Sequence, residues 1–314
     1  LNGIPSLPRA EAPSTVDATL VAVAAERVVL DTLLREGLAT TRAQLARVAD
    51  SLADARMKTG VAVDVRARSD SLGQRIGLAI VTWANADGFS GTRGRPYTPP
   101  VGDGLWYNDA PASIYATQSM SGASESVELD NPANQQRSGN VSDRSLILGR
   151  PKSASAKTLP AANMAGATEP HWNEVRTFVL AKWNECPIPD ASPYATDTAS
   201  ALYRNARTVY DTKSTLTDDQ KTIAYYWADN AGESGTPVGH WMSIASQMIS
   251  ERQLDIDKAI QLVHATAVAQ ADAFIASWGY KYQFNLLRPR TYIRRVIDST
   301  WVPLIPTPPF PEPP

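Results

Sequence analysis

From about Asp255 to Lys281, the residues Ile260, Val263, Ala267, Ala271, Phe274, Ile275 and Trp278 recur at helical spacing. Apolar residues at steps of three and four line one side of an α-helix. The same period appears from about Thr15, in Val16, Leu20, Val23, Ala24 and Val28, and again roughly over 40–58. It returns in Val65, Leu72, Ile76, Ala79, Ile80 and Trp83, and Gly88 with the cluster GFSGTRGRPYTPPVGDG ends that helix. No alternating run of useful length and no internal repeat breaks the pattern, so the chain is expected to be an all-α helical bundle.

Four further helices are expected. They fall on HWNEVRTFVLAKW, ATDTASALYRNARTVYD, LTDDQKTIAYYWADN and GHWMSIASQMISER. The third opens with Thr217 and Gln220 three apart, the spacing of a capping box. Between about 88 and 168 no period survives, and SGASESVELDNPANQQRSGNVSDRS is polar and rich in turn formers. The expected organisation is an N-terminal helical region (1–88), an irregular insertion (89–168) and a second helical region (169–314). The insertion could be a surface excursion, a lid or an oligomer contact.

With 314 residues the chain can bury a sizeable core. Its formal net charge of −2 argues against nucleic acid as a partner, so an anion site has to come from local charge. One cysteine, Cys186, precludes an internal disulfide. No membrane span is expected: IGLAIVTWANA is short, and AVAQADAFIASW is interrupted by Gln270 and Asp272. The sequence starts at Leu1 without Met, as after leader removal or in a fragment.

The candidate site is Lys281 with Arg288, seven residues on and followed by Pro289. On one continuous helix they would share a side, about 10 Å apart along the axis. Pro289 disfavours helical geometry at Arg288, so the helix is expected to end there. Guanidinium and ammonium together suit a small multivalent anion. Two cations at a helix C-terminus also fit plain stabilisation of the helix dipole by solvated side chains.

The segment ADAFIASWGYKYQFNLLRPRTYIR, followed by WVPLIPTPPFPE, resembles bacterial vanadium-dependent haloperoxidases of the phosphatidic acid phosphatase type 2 / haloperoxidase superfamily. The first signature of that superfamily is Lys, six residues, Arg-Pro, met by Lys281, Arg288 and Pro289. YYWADNAGESGTPVGHW and PHWNEVRTFVL resemble the haloperoxidase branch as well. The resemblance implies vanadate as cofactor, with phosphate as a possible substitute, and hydrogen peroxide and halide as reactants. It implies oxyanion and peroxide contact for Lys281, as catalytic and cofactor-binding residue, and oxyanion contact for Arg288. A homo-oligomer and a secreted or periplasmic location are further expectations from the family.

After PTPPFPE the family continues with an aromatic residue and Pro-Ser-Gly-His, then a later motif with Arg and the vanadium-bonding His. Here Glu312 is followed by Pro313-Pro314. His171, His240 and His264 all precede Lys281 and fit neither motif. The expectation is a C-terminally incomplete haloperoxidase whose chain as given is inactive and holds no vanadium-bonding residue. An acid phosphatase of the same superfamily and a non-catalytic helical module are the alternatives. Among the histidines, His240 is expected to pack or cap ahead of its helix, His264 to be a core residue, and His171 to lack a partner. Cys186 is expected to be structural.

Overall fold

The computed structural model describes residues 1–107, 167–229, 234–305 and 312–314. These residues fold as helices and loops with no strand among them. The all-α expectation therefore holds, and Leu105 with Leu286 forms an isolated antiparallel bridge. The helices are α1 (Ala18–Leu33), α2 (Ala39–Met57), α3 (Val63–Asn85), α4 (Phe89–Thr92), α5 (Ala201–Thr215), α6 (Asp218–Tyr226), α7 (Thr236–Glu251), α8 (Ile256–Phe284) and α9 (Pro289–Val296). Two compact units emerge, each discontinuous in sequence. The first comprises Leu1–Arg95, His171–Pro189 and Ala231–Gly279, the second Pro96–Pro170, Asp190–Asn230 and Tyr280–Pro314. Most of the irregular stretch expected from the sequence, residues 108–166, lies outside the described residues.

In the first unit α1 packs on α2 and, more extensively, on α3. Close approach of α1 and α3 needs Gly73 and Gly77: a Cβ on Gly73 would lie 2.5 Å from the Val21 carbonyl, and one on Gly77 2.7 Å from the Ala25 carbonyl. Asp17 caps α1 by accepting from the Leu20 amide, and Arg56 at the end of α2 grips its carboxylate at 2.8 and 2.9 Å. The Asp17 amide donates to Ser69 on α3, so one residue ties three helices.

HWNEVRTFVLAKW is not the amphipathic helix that its pattern predicts. Only Trp172–Glu174 forms a single 3-10 turn. The reason lies far along the chain. The buried Asp272 carboxylate accepts from the amides of Phe178, Val179 and Leu180 at 2.5, 2.8 and 3.0 Å. Those amides are thereby withdrawn from any i−4 ladder, and a remote charge overrides local propensity. Trp172 packs edge-on to Phe274 and Trp278 of α8 instead.

The apolar stripe of α8 is buried only in its later part. Asp272, Ile275 and Gly279 are buried, whereas Ile260 is 55% exposed and Val263 sits at 36%. Periodicity marks a face that could be covered; it does not say what covers it. By length and composition α8 could cross a membrane, although Asp272 within it is engaged by the backbone of its own unit. His264 is exposed, not a core residue. His240 lies inside α7, which already starts at Thr236, and His171 has Glu174 as a partner at 3.3 Å. Cys186 is exposed.

In the second unit α9 packs on α5 through Ala206, Tyr292 and Ile293, with Leu202, Tyr210 and Trp301 around them. The capping box at α6 forms as its spacing predicts: Thr217 accepts from the Gln220 amide, and the Gln220 side chain accepts from the Thr217 amide.

Candidate oxyanion site

Lys281 and Arg288 do not ride on one continuous helix. Helix α8 ends at Phe284, and Asn285 turns the chain with a φ of 46°, a left-handed conformation that Asn tolerates at a helix end. Arg288 is extended (φ −62°, ψ 138°), as the residue before a proline is biased to be. Pro289 then starts α9, where its missing N–H costs nothing. The helical estimate of separation therefore does not apply, and the pair is placed by a turn.

That turn is fastened from the other side. The Trp106 amide donates to the Asn285 carbonyl at 2.9 Å, and the Leu287 amide to the Gly104 carbonyl at 2.8 Å. Gly104 is itself left-handed (φ 81°), and a Cβ there would meet the Tyr194 ring at 2.5 Å. Tyr194 stands edge-on to Tyr292 of α9, whose hydroxyl donates to the Ala195 carbonyl at 2.6 Å. The backbone on both sides of Arg288 is thus held by packed groups of the second unit.

Both cations reach the same short segment. Lys281 Nζ donates to the Pro313 carbonyl at 3.0 Å. Arg288 Nη2 donates to the Glu312 carbonyl at 2.5 Å and lies 3.5 Å from the Glu312 carboxylate. The Arg288 and Glu312 side chains are only 16% and 14% exposed, so their charges act in a partly desolvated setting.

The electrostatics follow from that burial. It lowers the Lys281 ammonium from its ordinary value; the Glu312 carboxylate opposes the shift and Arg288 adds to it. Burial raises the Glu312 carboxyl, against the pull of Arg288 and Lys281. Tyr282, beside Lys281, donates to the Thr168 carbonyl at 2.6 Å and stands edge-on to Tyr97. Burial pushes its phenol well above the ordinary range, and the nearby Glu312 carboxylate adds to the shift.

The residues present would suit hydrogen bonds to a small oxyanion. Two half-buried cationic donors already converge on oxygen acceptors, and the Asn285 amide in the same turn is buried with neither polar atom hydrogen-bonded. His171, His240 and His264 all belong to the first unit, and no cluster of three or more metal-ligating side chains occurs among the described residues. Sequence reasoning named Lys281 and Arg288 but missed the carboxylate of Glu312, for which it held no local signal.

No family model and no curated protein matches the chain. Among solved structures it is similar to a bacterial vanadium-dependent iodoperoxidase, at 25% sequence identity and a TM-score of 0.68. The match covers 99% of this chain but 63% of that one. The fold class is therefore all-α, and within it the chain has a vanadium haloperoxidase-like fold.

Proposed function

We propose that the protein binds vanadate at Lys281 and Arg288 and serves the oxidation of halide by hydrogen peroxide. The observation that carries this reading is the convergence of the two cations on oxygen acceptors of one segment, Glu312–Pro313, in a haloperoxidase-like fold. Bound vanadate would supply an electrophilic centre that activates peroxide without a net change in its own oxidation state. The chain's part is to hold and polarise. Arg288 offers a planar fork to two oxygens, and Lys281 a compact donor. Partial burial strengthens both contacts relative to water.

The test is calorimetric titration of vanadate. A charge-assisted hydrogen bond contributes about 1.5–3 kcal/mol, and about 1.4 kcal/mol is tenfold. Arg288→Ala should therefore weaken vanadate binding by roughly ten- to a hundredfold. Unchanged affinity would return both cations to a structural role. In a form of the protein that carries the later family motifs, peroxide-dependent iodide oxidation that requires vanadate supports the haloperoxidase assignment; hydrolysis of a phosphate monoester without such oxidation would move the assignment to the phosphatase branch.

A further inference from the structure

We infer that Glu312 is a specificity-determining residue of this site: its fixed carboxylate offsets part of the positive charge of the cation pair and so narrows the advantage of doubly charged over singly charged tetrahedral oxyanions. The inference rests on the reading of Lys281 and Arg288 as an oxyanion site. Its own ground is geometric. The Glu312 carboxylate lies 3.5 Å from Arg288 Nη2, and the main chain fixes it there, because Arg288 holds the Glu312 carbonyl and Lys281 the Pro313 carbonyl. Both side chains of the Arg288–Glu312 pair are more than four-fifths buried, so solvent screens the carboxylate weakly.

A Coulomb interaction is linear in the charge of the ligand. A fixed carboxylate therefore penalises a doubly charged anion twice as much, in free energy, as a singly charged one of the same shape. Near neutral pH vanadate is mostly the singly charged dihydrogen form, phosphate is divided between singly and doubly charged forms, and sulfate is doubly charged. The carboxylate thus takes away part of the electrostatic advantage that doubly charged competitors would otherwise have over vanadate.

Perchlorate and sulfate are suitable probes, being tetrahedral with fixed charges of one and two. Each is titrated calorimetrically into the wild-type protein and into Glu312→Gln, at low ionic strength. Removing the carboxylate should tighten perchlorate binding about fivefold and sulfate binding about twenty-five-fold, so that the sulfate-to-perchlorate affinity ratio rises about fivefold. Glu312→Ala should give the same rise in ratio, and Glu312→Asp, which keeps the charge, a ratio close to wild type. All three variants keep the main-chain carbonyls that the cations hold, and a thermal melt verifies the fold of each. Binding of both anions with an unchanged ratio in Glu312→Gln and Glu312→Ala would overturn the inference while leaving the oxyanion site standing. Binding of neither anion to any form, wild type included, would overturn the oxyanion reading and this inference with it.

Discussion

Arg288 Nη2 grips Glu312 twice, donating to its main-chain carbonyl at 2.5 Å and facing its carboxylate at 3.5 Å across 24 residues of sequence. A single guanidinium thus holds both the path of the segment and its charge. Arg288→Lys keeps a cation but loses the planar fork. Its vanadate affinity should fall between that of wild type and Arg288→Ala, and the Glu312–Pro313 segment should become easier to cleave in limited proteolysis. Full recovery by Lys would show that charge alone matters; titration and proteolysis on the same samples decide.

Asp272 should be among the costliest polar positions to change. Its carboxylate serves three backbone amides, and an isosteric Asn would turn an NH2 group toward at least one of them. Each buried donor left without an acceptor costs about 1–3 kcal/mol. Asp272→Asn should lower unfolding stability by about 2–4 kcal/mol in urea denaturation. Amide exchange at 178–180 should rise before it rises elsewhere.

Two helical glycines should respond with opposite sign. A Cβ on Gly77 would lie 2.7 Å from the Ala25 carbonyl, whereas one on Gly239 in α7 would meet nothing within 4 Å. Gly239→Ala should stabilise by roughly 0.5–1 kcal/mol through helix propensity. Gly77→Ala should destabilise by about 1–3 kcal/mol, because overpacking against backbone outweighs that gain. Thermal melts of the two variants should move in opposite directions.

Asp17 carries a pH dependence whose sign is fixed by its partner. The Arg56 side-chain hydrogen bonds lower its carboxyl, while burial works the other way. A carboxyl depressed on folding adds stability above its ordinary value of 3.8, and that stability is lost as pH falls through the depressed value. Unfolding midpoints should therefore drop as pH falls from about 5 toward 2, and Asp17→Asn should flatten that part of the curve. Since Asn still caps a helix, the cost of this variant at neutral pH should be about 0.5–1 kcal/mol, that of a partly exposed ion pair.

How legible a feature was in the sequence depended on how far away its cause lay. The Thr217–Gln220 capping box was readable because both partners fall within one helical turn. The helices α1 to α3 and α8 were readable because period alone sets them. The segment 171–183 was misread because the group that organises it, Asp272, is about ninety residues away. Lys281 and Arg288 were singled out by the resemblance to a family motif, since their spacing alone fits solvated charges at a helix end equally well, and their placement was misjudged. Asn285 and Pro289 were the available signals of a helix end followed by a helix start, and only the second was used. Glu312 stood in the sequence only as the residue before an expected motif; its contact with Arg288 arises from the return of the chain, which no local pattern encodes.

The two main-chain bonds that clasp the turn, Trp106 to Asn285 and Leu287 to Gly104, close just before residue 108. They act as a clamp: the segment Gly104–Trp106 and the turn Asn285–Leu287 hold each other in register. For an engineer, a single residue inserted between Gly104 and Trp106 would pull the turn out of register and shift the spacing of the two cations.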